Sequence, residues 1–256
     1  MIDVSPDRLE QRTVPLATPP ATLRMVSYNI QGQGALYGSL HLERIAGVLR
    51  KNDADVVALQ EVHRSTWRSR FRDQASELAD ATGMNLAFSA STRLGRGQYG
   101  NALLTRGEIL HSVTHVLPGR GEPRSMLEAL VDLDGGVFSA YVTHLSAWGR
   151  LARATRLRQT ARVARLVRSS RLPFVLAGDF NTPASSRELD HFRTGDLVRS
   201  CFTSEAVTHP ATRRCLDYIF VDRRWRVQDA RVIAEGPSDH WPLFAHLSWE
   251  ETGTRG

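Results

Sequence analysis

The chain carries a single lysine, Lys51, although 33 of its 256 residues are basic. Its positive charge therefore rests on arginine. A net charge of +6 and a pI near 10.0 favour an anionic partner only weakly, because the codon usage of a GC-rich genome produces the same arginine bias. Cysteine is scarce too. Cys201 and Cys215 are too few for a disulfide framework, and a reducing, cytoplasmic location is expected. No segment approaches the roughly 18 consecutive apolar residues of a membrane helix. The first residues hold no apolar core of a signal peptide, so a soluble protein is expected. No repeat of 20–50 residues is visible, which argues against solenoids. P-loop, G-x-G-x-x-G and G-x-S-x-G patterns are missing as well, which removes phosphate-cradling loops and a serine elbow from consideration.

What remains is 41% hydrophobic and 23% charged, a balance that supports one domain with a large core. Residues 1–21 are proline-punctuated and aperiodic and read as a mobile leader. Residues 22–250 read as one domain and 251–256 as a tail, with a monomer expected. The most informative stretch is LPFVLAGDFNTP, Leu172 to Pro183. The apolar run Phe174–Ala177 between Pro173 and Gly178 has the pattern of a strand buried on both faces. Asp179 and Asn181 follow with Phe180 between them, so a carboxylate and a carboxamide project together from the strand end. Buried polar groups there must be hydrogen-bonded or used; a turn capped by Asp179 and Asn181 is the plainer alternative.

Other strands end in the same way. LRMVSYNI ends on Asn29 before a Gly-rich segment, ADVVALQEV carries Gln60-Glu61 at its tip, and YGNALLTR is interrupted by Asn101. VFSAYVTHLS, paired to residues 127–133 through Asp134-Gly135, ends on His144. CLDYIFV opens with Asp217, and PSDHWPL places Asp239 and His240 in a turn before the closing strand LFAHLSW. Helical periodicity is expected over 40–51, 67–81, 149–171 and 187–193. In the third helix residues 151, 154, 157, 161, 164 and 167 form the apolar stripe, and most of its arginines read as a solvated face. RLGRGQYG and residues 197–212 read as loops. The strand–helix alternation argues an α/β domain.

Asn29, Glu61, His144, Asp179, Asn181, Asp217, Asp239 and His240 thus gather at strand ends, where α/β folds assemble sites. Aspartates, a glutamate and two histidines without thiols suit a hard divalent cation, Mg²⁺ or Mn²⁺, rather than zinc. The same set offers a general base, its orienter and an acid. With no serine or cysteine nucleophile in evidence, an activated water is the expected attacker.

SYNI, LQEV, YGNALLTR, THLS, GDFNTP, LDYIFV and SDHWPL, in this order, resemble the endonuclease/exonuclease/phosphatase superfamily, which spans type I DNases, abasic-site endonucleases, neutral sphingomyelinases and inositol-polyphosphate 5-phosphatases. The resemblance covers about residues 23 to 248. It implies a four-layer sandwich, two mixed β-sheets face to face with helices outside, and a metal-dependent phosphoesterase, most simply a phosphodiesterase. It implies that Glu61 is the main metal ligand with Asn29 beside it, and that Asp239 supports the metal. His240 resembles the base, Asp217 its orienter, and Asp179 a group positioning water or the leaving oxygen. Asn181 and His144 resemble phosphate binders, His144 also a candidate acid. Asn101 and Arg124 resemble substrate contacts. A phosphoester, nucleic acid among the options, is the implied partner.

Two departures separate the branches. Abasic-site endonucleases usually carry asparagine where His144 stands, and the human-type enzymes a Trp where Arg214 stands, so abasic-site specificity is not expected. A catalytically dead phosphate-binding member of the same fold is the alternative, although Glu61, His144 and His240 are all retained. Residues 93–97 and 199–214 are the expected rims of the site; they hold arginines but no evident base-stacking platform.

Overall fold

A computed structural model describes residues 18–32, 40–147, 150–193, 198–202 and 206–250. Leader residues 1–17 and the tail 251–256 lie outside the described residues. The leader's last four residues, 18–21, lie on the fold: the Thr18 carbonyl accepts from Val137 N–H, and that of Ala21 from Trp249 N–H.

Two six-stranded mixed sheets form the centre. The first contains β1 (Thr22–Asn29), β2 (Val56–Arg64), β3 (Asn85–Leu94), β4 (Gly97–Thr105), β11 (Trp225–Val232) and β12 (Leu243–Trp249), in the order β11-β12-β1-β2-β4-β3. The second contains β5 (Glu108–Leu117), β6 (Arg124–Leu133), β7 (Gly136–His144), β8 (Phe174–Asp179), β9 (Val198–Ser200) and β10 (Asp217–Asp222), in the order β5-β6-β7-β8-β10-β9. Each sheet has one parallel pair, β1–β2 and β7–β8. A parallel pair needs a crossover; α1 (His41–Lys51) supplies one and α3 (Arg150–Arg168) the other. Short α2 (Gln74–Thr82) and α4 (Asp190–Arg193) complete the helices among the described residues.

The sheets meet through small and branched side chains. Met25, Val56, Ala58 and Leu103 of the first face Leu127, Ala129, Val142, Val175, Ala177 and Ile219 of the second, all buried. Helices α1 and α2 cover the outside of the first sheet through Leu42, Ile45, Leu49, Ala75 and Leu78. On the outside of the second, Val163, Ala164 and Val167 of α3 pack with Leu176, Phe180 and Phe220. This is the four-layer sandwich that the sequence implied.

Four local expectations change. RLGRGQYG is not a loop: β3 and β4 run through it, leaving Gly95 and Arg96 as a two-residue turn. Residues 198–200, expected to be irregular, pair with β10. Over 67–81 a single 3-10 turn (Trp67–Ser69) is separated from α2, because Arg70 and Phe71 adopt left-handed backbone. The stripe on α3 is rotated: Leu157 and Ala154 are exposed, whereas Thr155, Arg156, Gln159 and Thr160 are buried. Arg156 is buried because Glu188 meets it beneath the helix.

Candidate active site

The expected polar residues converge at one end of both sheets. Asn29 and His144 end β1 and β7, Asp179 ends β8, and Asp217 begins the antiparallel β10. Pairing registers align them: His144 lies opposite Asp179 on one side, and Asp217 opposite Asp179 on the other. Gly178 allows this, since a Cβ there would lie 1.9 Å from the Thr143 carbonyl oxygen. Phe180 points the other way and locks the tip by edge-on contacts to Phe192, Tyr218 and Phe220 at 5.4–5.6 Å.

Asp179 is the hub. Its Oδ1 accepts from the Asn181 backbone N–H at 2.8 Å, and its Oδ2 from Asn29 Nδ2 at 3.1 Å. Both histidines approach the same Oδ2, His144 Nε2 at 3.5 Å and His240 Nε2 at 3.8 Å. Burial and the Asp217 carboxylate raise the Asp179 pKa, against the His240 charge and these hydrogen bonds. Asn181 sits in left-handed backbone and donates Nδ2 to the Leu145 carbonyl. The capping turn and the site are therefore one object.

His240 Nδ1 lies 2.8 Å from Asp217 Oδ2. Burial would lower its pKa, but Asp217, then Asp179 and Asp239, outweigh that and raise it to about 10. His144 is the opposite case. Arg124 Nη1 lies 2.9 Å from His144 Nδ1; a guanidinium can only donate, so the ring proton of His144 is on Nε2. Burial, then Arg124 and His240, push the His144 pKa well below its usual value. One histidine is cationic and carboxylate-held; the other is neutral.

Glu61 reaches the site through a bulge. Leu59 pairs with Ala102 but Val62 with Gly100, so Gln60 and Glu61 together oppose Asn101, and Glu61 has φ 60°. Its Oε1 accepts from Asn29 Nδ2 at 3.2 Å. Burial raises its pKa, opposed by that bond, and Asp239 raises it further. Asp239 is exposed beside Ser238. Asn101 is buried, donating Nδ2 to the Ser125 carbonyl while its Oδ1 has no partner.

The donor set suits a hard cation. Buried carboxylates collect here around few positive groups, and Asp217 Oδ1 is buried without a partner. Among the described residues, Asp179, Asp217 and His240 bring two carboxylates and an imidazole within 4.8 Å of one another.

Several contributors carry no sequence signal. Thr208 Oγ1 accepts from the N–H groups of Leu216 and Asp217, and the Thr208 carbonyl accepts from Trp241 N–H. These bonds clamp the two segments that bear the base and its orienter. His209 lies edge-on to His240 at 4.8 Å. Ser238 Oγ donates to the Asn29 carbonyl and accepts from His240 N–H.

The model of the Endonuclease/Exonuclease/phosphatase family matches residues 26–240. Among solved structures, an endonuclease/exonuclease/phosphatase from Beutenbergia cavernae DSM 12333 is similar at 25% identity and TM-score 0.75, covering 90% of this chain and 72% of that one. The mannosyl-6-phosphatase of Bacteroides thetaiotaomicron VPI-5482 has 19% identity and TM-score 0.72, covering 89% of this chain and 100% of that one. D. rerio TDP2 complexed with single strand DNA product has 18% identity and TM-score 0.74, covering 89% and 99%. No curated protein sequence matches the chain. Among the described residues no helix is long and apolar enough to cross a membrane.

Proposed function

The chain belongs to the endonuclease/exonuclease/phosphatase family, and from that premise we propose that it is a divalent-metal-dependent phosphodiesterase that uses a histidine-activated water. The carrying observation is the Asp217–His240 hydrogen bond of 2.8 Å beside Asp179. A base whose second nitrogen is held by a carboxylate keeps the tautomer needed to accept a proton at Nε2 and stabilises the imidazolium that results.

Glu61, Asn29 and Asp239 would hold the cation, with oxygen donors that suit Mg²⁺ or Mn²⁺. When bound, the cation would supply Lewis acidity at a phosphate oxygen and offset the carboxylate field that keeps His240 protonated. The chain's own residues do the rest. Neutral His240 takes the proton of the attacking water at Nε2. Asp179, hydrogen-bonded by Asn29 and Asn181, positions that water or the leaving oxygen. His144, neutral with its proton on Nε2, donates to a phosphate oxygen; its low pKa favours this over an acid role. Asn181 retains a second amide N–H for the same purpose.

Relatives that share the fold act on different molecules, a mannosyl-6-phosphatase and a protein holding single-stranded DNA product among them; the substrate must therefore be read from the surroundings of the site. Bis-p-nitrophenyl phosphate tests the chemistry. Turnover with Mg²⁺ or Mn²⁺ and none in EDTA is expected. Equal rates in EDTA, or no turnover with either metal, would overturn the reading.

A further inference from the structure

A cavity of about 930 Å³ opens beside the site, between the segment from Gly119 to Glu122 that precedes β6 and the first turns of α3. Arg124 belongs to both. Its Nη1 meets His144 and its Nη2 meets Glu122 at 2.9 Å, while its buried Nε has no hydrogen-bond partner. None of Glu61, His144, Asp179, Asp217 and His240 lines the cavity, so it lies next to the chemistry rather than within it.

Its lining is donor-rich. Among the described residues, Arg120, Arg124 and Arg158 face a single acid, Glu122, with glycines, alanines, Ser146 and Thr155 between them. Other arginines of α3 are already engaged: Arg153 and Arg156 both reach Glu188. Arg120 and Arg158, by contrast, have no carboxylate partner among the described residues; Arg158 Nε donates only to the Ala154 carbonyl. Arginines left without acids around a concave space, next to a buried unpaired guanidinium N–H, are what phosphate recognition requires. Among the described residues no aromatic side chain lines the space.

Resting on the phosphoesterase reading, we propose that this cavity binds a second phosphoryl group of the substrate, set apart from the one that is cut. The protein then prefers phosphoesters that carry at least two phosphates. A phosphorylated polyol and a nucleic-acid strand both offer that chemistry, and the test separates them.

Calorimetric titration in EDTA, at fixed salt because phosphate contacts are screened, would use two matched pairs. One is fructose bisphosphate against a fructose monophosphate. The other is the p-nitrophenyl ester of thymidine 5′-phosphate with and without a 3′-phosphate. The doubly phosphorylated member of at least one pair should bind at least about tenfold more tightly, the order that a hydrogen bond to a charged group gives. Arg120→Ala combined with Arg158→Ala should erase that gap; both side chains are exposed, and an unchanged melting curve checks the fold. A gap in the sugar pair assigns a polyol phosphate, and one in the nucleotide pair a nucleic-acid strand. No gap in either pair, or a gap that survives the double substitution, overturns the proposal. Turnover of bis-p-nitrophenyl phosphate reads the phosphoesterase chemistry separately.

Discussion

Two glutamates, one buried and one half-buried, meet opposite surroundings. Beneath α3, Glu188 is met by Arg156 at 3.1 Å, by Arg153, and by the Ser186 hydroxyl. At the tip of β2, Glu61 receives one hydrogen bond, from Asn29, and feels the repulsion of Asp239. The first carboxylate is neutralised by its own chain and serves packing. The second has no ion-pair partner among the described residues, and burial and Asp239 outweigh the charges of His240 and Arg124, which is costly unless something else supplies positive charge. Withdrawal from water alone thus does not mark function; an uncompensated charge does.

The largest effect that sharpens this contrast lies among the uncompensated groups. His240→Ala should lower kcat on bis-p-nitrophenyl phosphate by about 10²–10⁴-fold, the usual worth of a general base. Asp217→Asn should lower it too, and the double variant should lose little more, since base and orienter act as one unit. Fully additive losses in a double-mutant cycle on kcat/KM, at saturating Mg²⁺, would transfer the role to another group, Asp179 first.

Next in size is the compensated pair. Glu188→Ala strands Arg156 in the interior and should cost about 3–5 kcal/mol of stability, as breaking a buried ion pair does. Urea denaturation measures it. A loss below about 1 kcal/mol, the range of exposed pairs, would show that the two glutamates differ less than their surroundings imply.

The smallest effect is on the stability of metal-free Glu61→Gln. Burial raises the Glu61 pKa in the folded state, so ionising it costs stability. That cost is absent below the unfolded value near 4.5 and grows as pH rises above it. The variant should therefore melt slightly above the wild type at neutral pH and level with it in acid. Adding Mg²⁺ should raise the wild-type melting temperature and leave the variant unmoved. Equal stabilisation by Mg²⁺ in both would remove Glu61 from the metal site.

Much of this was legible in the sequence, for a physical reason. Apolar runs that break into polar residues at one end, as in FVLAGDFN and VVALQE, reveal both a buried strand and a tip at which something happens. Contacts made through backbone groups were not legible. Thr208 and Ser238 look like ordinary turn residues and matter through the N–H and C=O groups they tie down. The α3 stripe was misread because apolar periodicity cannot foresee that Arg156 finds Glu188, or that Gln159 bonds Ser146. β5 was not expected because its edge position leaves most of its side chains in water.

The bulge in β2 sets stability against activity. Deleting one residue between Leu59 and Val62 would let β2 and β4 pair without interruption and would relieve the left-handed backbone at Glu61, a conformation worth roughly 1–3 kcal/mol of strain. Val62 would keep its partner Gly100, but a single residue would then oppose Asn101, so the displaced position from which Glu61 reaches the site would be lost. Selection for heat resistance alone would therefore tend to erase this irregularity, so its retention in heat-tolerant variants would be a practical sign that turnover, and not folding, is what keeps it.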